Sequence, residues 1–387
     1  MSTDALVESR SVVQVASSRP ATVHIAFLDG LRGLSALYVV LCHWWCQYCY
    51  NAALSGRYVN VCSNAKWPVD TFIVISGFCL MIPVARHGGL RGGAVDFFKR
   101  RAWRIVPPYY CAMALSMLLI ATVVGHKTGT HWDCSIPVSL GGVLSHLVLL
   151  QDLRGQWASM INHALWTVSV EWRIYFLFPL FVWLWRKCNF ASTLLAAASF
   201  SYIYFEILQH VHPGHYSVFT CPHFILLFAF GMAGASLAYK PDQSTRSASL
   251  GVCLFLVAAC CAKVALYVFR DSIGDSLSGS ILADIMIGLV SAAIMTYAAK
   301  NATSLITRAL AWKPIAFMGT FAYSTYLVHA PLLQCEWLIF RRFHIDDSLA
   351  FTIGCWLGIP IVIGLSYVFF WFCERPFLRK RGNNALV

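Results

Sequence analysis

Apolar runs recur along this chain from about residue 31 to residue 373, each separated from the next by a short polar connection. A helix that crosses a bilayer needs about 20 predominantly apolar residues. Runs of that order lie near residues 31–50, 68–85, 105–125, 166–185, 190–209, 219–239, 248–269, 278–299, 314–340 and 348–373. The pattern predicts an all-α integral membrane protein, a polytopic bundle of about ten transmembrane helices. One further run, Val138 to Leu150, is short for a span and carries Ser145 and His146, so it is expected to lie at the interface or to re-enter.

Charge placement tests the count, because every crossing moves the next loop to the opposite side and Lys and Arg collect on the cytoplasmic one. Ten crossings put Arg32, Arg86, Arg91, Lys99 to Arg104, Arg186, Lys187, Lys240, Lys300, Lys313 and Arg375 to Arg381 inside. They leave Arg57, Lys66, Lys127, Arg154, Arg270, Arg341 and Arg342 outside. An eleventh crossing at Val138 would carry the basic C-terminal segment outward. Both termini are therefore expected in the cytoplasm, with a tail over 1–27, a transmembrane domain over 28–377 and a second tail over 378–387. The first 20 residues show no apolar core or small-residue cleavage site of a signal peptide. No internal repeat interrupts the domain, and its longest non-spanning stretch, His126 to Leu165, falls on the outer side. That stretch holds His126, His131, Trp132, Asp133, His146, Asp152, Trp157 and His163. Such side chains suit contact with a sugar-like acceptor and equally suit an ordinary interfacial belt.

Composition sharpens the picture in two places. At 58% hydrophobic and 12% charged residues, the chain falls well short of the roughly one quarter charged residues of a soluble domain. A net charge of +12 would point to nucleic acid in a soluble protein. Here the basic residues flank apolar segments, where anionic headgroups attract them, so membrane lipids are the expected partner and nucleic acid is not. Fifteen cysteines sit largely within apolar runs as small packing residues, so no dense disulfide framework is expected. Cys42, Cys46 and Cys49 repeat at helical spacing rather than in a metal pattern, and no metal site is expected.

Several ionisable groups fall where burial makes them costly, which marks them for function. In LDGLRGLSALYVVLCHW, Arg32 and His43 stand eleven residues apart, roughly 16 Å along a helix. An imidazole at depth can take a hydroxyl proton at neutral pH, or it can simply bond to a neighbouring helix. FFKRRAWRIVPPYY places Arg101 and Arg104 on one helical face, where two guanidinium forks can bind phosphate or anchor the helix at the surface. In LWTVSVEWRIYFLFPLF, Glu171 stands one turn before Tyr175. It can orient an imidazole, bond an acceptor hydroxyl, or pair locally with Arg173. Ser76, Tyr323, Ser324 and His329 are further cavity candidates, Gly77 reads as close helix packing, and Glu374 before Pro376 reads as a helix stop.

Taken in order, DGLRGLSALYVVLCH, FIVISGFCLM, FFKRRAWRIVPPYY, LWTVSVEWRIYFLFP, YSTYLVHAPLL and CERPF resemble the successive motifs of the membrane acyltransferase-3 family, over residues 28–377. The resemblance implies transfer of an acyl group, chiefly acetyl, from cytoplasmic acyl-CoA to a hydroxyl of a glycan, lipid-linked sugar or secondary metabolite, in a bacterial plasma membrane. It implies no tightly bound cofactor, acyl-CoA being a substrate. The family's arginine, ten residues, histidine pattern falls on Arg32 and His43, making His43 the general base. Its RxxR pattern falls on Arg101 and Arg104, which with Arg32 would contact the phosphates of coenzyme A. Glu171 matches the first acidic residue of a VEE-like stretch and joins His43 and Arg32 as a catalytic candidate, although Trp172 and Arg173 replace the polar residues that usually follow. No extracellular hydrolase-like domain follows the last helix, so a stand-alone membrane unit is expected. A transporter or lipid flippase is the alternative in a different class, since buried ionisable groups also line transport paths, and a non-catalytic sensor is a third.

Overall fold

The computed structural model describes residues 25–49, 66–211, 218–239 and 277–378, which are helical with no strand among them. Its main helices are α1 (Ala26–Cys49), α2 (Lys66–His87), α3 (Gly93–Leu119), α4 (Leu140–Leu147), α5 (Trp166–Lys187) and α6 (Phe190–Val211). They continue with α7 (Phe224–Tyr239), α8 (Leu277–Lys300), α9 (Lys313–Gly319), α10 (Ala322–Arg342), α11 (Asp347–Ile353) and α12 (Ile359–Phe369). Seven stretches are long and apolar enough to cross a membrane: Ala26–Tyr48, Lys66–His87, Gly93–Val124, Trp166–Lys187, Phe190–Val211, Ile281–Lys300 and Asp347–Phe377. The protein is a multi-pass membrane protein.

Two of the expected spans come out differently, and nothing tests a third. The run at 219–239 yields α7, a helix of 16 residues entered through a 3₁₀ turn at Val218–Thr220. The run at 314–340 is divided at Thr320 and Phe321 into α9 and α10. The run at 248–269 lies outside the described residues. Helix α10 is long enough to span but too polar to rank with the seven, and the reason is functional: Ser324, Thr325, His329 and Gln334 all face inward and are buried. In a bilayer the polar side chains of a helix belong in the bundle interior, where other protein groups can satisfy them.

The central packing is between α2 and α7, with α8 against both. Gly77 and Gly231 make that approach possible. A Cβ at Gly77 would stand 2.0 Å from the Phe228 carbonyl oxygen, and one at Gly231 would stand 2.0 Å from that of Val74. Lipid tails are as apolar as the helices, so close backbone contact through small residues, rather than hydrophobic exclusion, drives such pairing. Helix α1 lies against α9, α10 and α2.

The connection 126–165 does not cross, in keeping with the expectation for Val138 to Leu150. Helix α4 has only 8 residues and buries Gly142, Ser145 and His146. Leu140, Leu144, Leu147 and Val148 are exposed, the arrangement of a short helix lying along an interface. The connection is tied down at three points. Tyr109 donates to the His146 carbonyl at 3.2 Å, Asn162 donates to Ser116 and to the Leu327 carbonyl at 3.1 and 2.9 Å, and Arg173 forks onto the buried carboxylate of Asp152.

Candidate active site

Two groups of functional side chains lie at different depths along α1. Near its N-terminal end, Arg32, Arg101, Arg104, Glu171 and Glu374 line one cavity of about 200 Å³. Residues from α1, α3, α5 and the segment after α12 thus converge; the sequence motifs grouped only Arg32 with Arg101 and Arg104, and the presence of Glu171 and Glu374 beside them is new. Arg32 is held by Asp29 at 2.8 Å and points a second nitrogen at the Cys79 sulfur, 3.0 Å away. Of the three carboxylates that line the cavity, Asp29 is the one paired with Arg32, and the other two are taken up by hydroxyl donors. Tyr175, itself 2.9 Å from Ser76 Oγ, donates to Glu171, while Ser324 donates its backbone N–H at 3.1 Å and its hydroxyl to Glu374. Among the described residues neither Arg101 nor Arg104 is ion-paired. Two guanidinium forks with no salt-bridge partner among the described residues, in a cavity that also holds Asp29, Glu171 and Glu374, have the geometry to bind a phosphate.

Near the C-terminal end of α1, His43 stands among three other histidines. Its ring centroid is 5.6 Å from that of His131, 5.0 Å from His163 and 4.9 Å from His329. A carbonyl oxygen can only accept, so contacts with carbonyls assign the protons. His329 Nδ1 is 2.8 Å from the Tyr326 carbonyl and must carry hydrogen, which leaves Nε2 as an acceptor. That Nε2 faces His43 Nδ1 at 3.1 Å, and the Val39 carbonyl faces the same nitrogen at 3.1 Å. His43 therefore carries its proton on Nδ1 and keeps a free lone pair on Nε2. The chain from the Tyr326 carbonyl through His329 to His43 is a base held in one tautomer by a second group. His131 and His163 lie outside the spans in the connection 126–165. Burial pushes both below the ordinary imidazole value, and the neighbouring imidazoles lower His163 further, so both are neutral at pH 7.

Tyr326 stands between the two groups. It lines the arginine cavity, accepts a hydrogen bond from Thr167 at 2.8 Å, and has its ring centroid 5.8 Å from that of His329.

The sequence that carries these motifs has counterparts among known proteins. A family model described as an acyltransferase domain matches residues 25–372. The chain belongs to the acyltransferase-3 family. It is similar to the O-acetyltransferase OatA of Staphylococcus aureus, 21% identical over 375 residues, which are 93% of this chain and 58% of that protein. It is similar to the acyltransferase MdmB of Streptomyces mycarofaciens, 25% identical over 173 residues covering 43% of this chain and 42% of the relative. Nodulation protein 10 of Rhizobium leguminosarum bv. viciae is 23% identical over 203 residues, 47% of this chain and 51% of the relative. The chain thus spans little more than half the length of the OatA proteins it matches. No solved structure matches it.

Within this family site, the structure assigns several sequence candidates to particular surroundings. Glu171 belongs with the arginines, not with the imidazole: the group that orients His43 is His329, and Arg173 pairs with Asp152 rather than with Glu171. Glu374, read as a helix stop, is a buried wall of the cavity. Tyr323 lines the cavity and donates to the Ile105 carbonyl at 3.1 Å. His131 and His163 stood out in the sequence only as polar side chains of an outer loop. Their association with His43 follows from the folding of the connection 126–165 back onto α1 and α10, which no local spacing encodes.

Proposed function

We propose that the protein is a membrane O-acyltransferase that moves an acyl group, chiefly acetyl, from cytoplasmic acyl-CoA to a hydroxyl of a cell-envelope carbohydrate or a related acceptor, in a bacterial plasma membrane. The observation that carries this reading is Arg101 and Arg104, without a salt bridge among the described residues, in one cavity with Arg32, at the end of α1 away from a histidine whose Nε2 lone pair is free. Coenzyme A offers phosphates for the guanidinium forks and a thioester on a long flexible arm. The acceptor hydroxyl gives its proton to His43 Nε2 as its oxygen attacks the thioester carbonyl. The C–S bond breaks, and the imidazolium returns the proton to the departing thiolate, leaving an ester and free coenzyme A. The name of the OatA relatives, O-acetyltransferase, supports acetyl as the group moved.

The test is release of coenzyme A and transfer of labelled acetyl in membranes carrying wild type, His43→Ala or Arg101→Gln/Arg104→Gln, with envelope glycans as acceptors. Wild type alone is expected to label glycan. Removal of the base should cost on the order of 10²- to 10⁴-fold in rate. Transfer by His43→Ala at the wild-type rate would remove His43 from the chemistry, and substrate movement without coenzyme A release would favour transport.

A further inference from the structure

We infer that His43, His131 and His163 form a binding site for one divalent transition-metal ion of the zinc class. One ring nitrogen from each lies within 4.8 Å of the other two. Ligand nitrogens around a tetrahedral zinc stand roughly 3.4 Å apart, given bonds of about 2.0–2.1 Å, so small side-chain rotations close the site. Three histidines with no carboxylate among them suit zinc, cobalt, nickel or copper and do not suit magnesium or calcium, which take oxygen ligands.

A second observation points to a ligand at this place. His163 Nε2 and His131 Nδ1 are buried with no hydrogen-bond partner in the protein. His163 is 7% exposed, so bulk water does not serve its nitrogen. Its other nitrogen is 3.1 Å from Ser135 Oγ, a contact that holds the ring with Nε2 turned inward. His43 likewise has its Nδ1 proton occupied by Val39 and His329, with Nε2 left as a lone pair. Neutral imidazole nitrogens pinned by a bond on the opposite nitrogen are how proteins prepare histidine ligands. His43 and His131 are each only partly buried, which leaves a side for entry and for a fourth ligand such as water.

The site goes beyond the acyl-transfer reading and shares one atom with it. A nitrogen that binds metal has no lone pair for a proton, so the metal-loaded protein cannot use His43 as its base, and zinc suppresses transfer.

Full-length protein purified in detergent with a tag free of histidine, stripped by chelator and titrated with Co²⁺, is expected to develop the visible bands of a four-coordinate site at one equivalent. Added Zn²⁺ should bleach them. His163→Gln and His131→Gln should weaken binding by at least about tenfold, and Ser135→Ala, which leaves all three ligands in place, should weaken it in the same sense. His210→Gln, on the exposed end of α6, should bind as wild type does. Absence of the bands in wild type, or equal binding in all four variants, would overturn the site. Saturating zinc that leaves transfer by stripped protein unchanged would overturn the shared atom. Stripped protein that binds cobalt but transfers no acyl group would keep the metal site and sink the base reading instead.

Discussion

His329 is the residue whose consequence for catalysis is easiest to isolate, because it does not itself line the arginine cavity and its Nε2 faces His43. Replacing it with Phe removes the acceptor that holds the His43 Nδ1 proton while keeping an aromatic ring in the space. The Val39 carbonyl remains as a weaker anchor. We expect kcat to fall by about 10- to 100-fold, less than loss of the base itself and typical of losing a partner that orients a functional imidazole, with KM for acyl-CoA little changed. Steady-state kinetics in both parameters check this, and an equal rise in KM would mean that the site as a whole had shifted. Arg101→Gln should do the reverse. It removes a charge-assisted contact worth roughly 1.5–3 kcal/mol, so KM for acyl-CoA should rise at least about tenfold while kcat from bound donor holds.

Helices in this protein are placed by two devices, backbone contact and buried ion pairs, and each can be tested alone. At the α2–α7 crossing, Gly77→Ala would press a methyl group onto the Phe228 carbonyl. Overpacking of this kind costs about 1–3 kcal/mol, so the melting temperature in detergent should fall. Gly364→Ala in α12, where a Cβ meets nothing within 4 Å, should leave it unchanged. The second device is the Arg173–Asp152 pair, in which the carboxylate is fully buried and the guanidinium is about one-fifth exposed. Asp152→Ala strands a largely buried cation and should destabilise by about 3 kcal/mol, whereas the double replacement Arg173→Met/Asp152→Leu should recover much of the loss. Thermal unfolding of wild type and the two variants side by side decides it, and a single replacement that melts like wild type would mean that water already solvates Arg173.

For the whole molecule, the arrangement of charges predicts that both termini face the cytoplasm. Reporters fused at each end, one active only inside and one only outside, should both report inside. A C-terminal reporter active outside would reverse the side from which the arginine cavity fills, and with it the donor route. Most of the architecture was legible before any coordinates. Apolar runs of bilayer length report helices directly, since a backbone in lipid must satisfy its hydrogen bonds within the segment. His43 likewise stood out as an ionisable group at a costly depth, and Arg32, Arg101 and Arg104 stood out by their spacing and the motifs they complete. The same rule misjudged 314–340, read as one span although Ser324, His329 and Gln334 turn it into an interior helix broken before Ala322. Only tertiary structure decided that Glu171 lines the arginine cavity, that His329 holds His43, and that His131 and His163 close around the same ring. The physical reason is one of range. Helical periodicity and the cost of burying charge act within a segment and leave their mark on neighbouring residues, whereas an imidazole's partner comes from whichever remote segment packing brings within about 3 Å, and nothing in the local spacing records it.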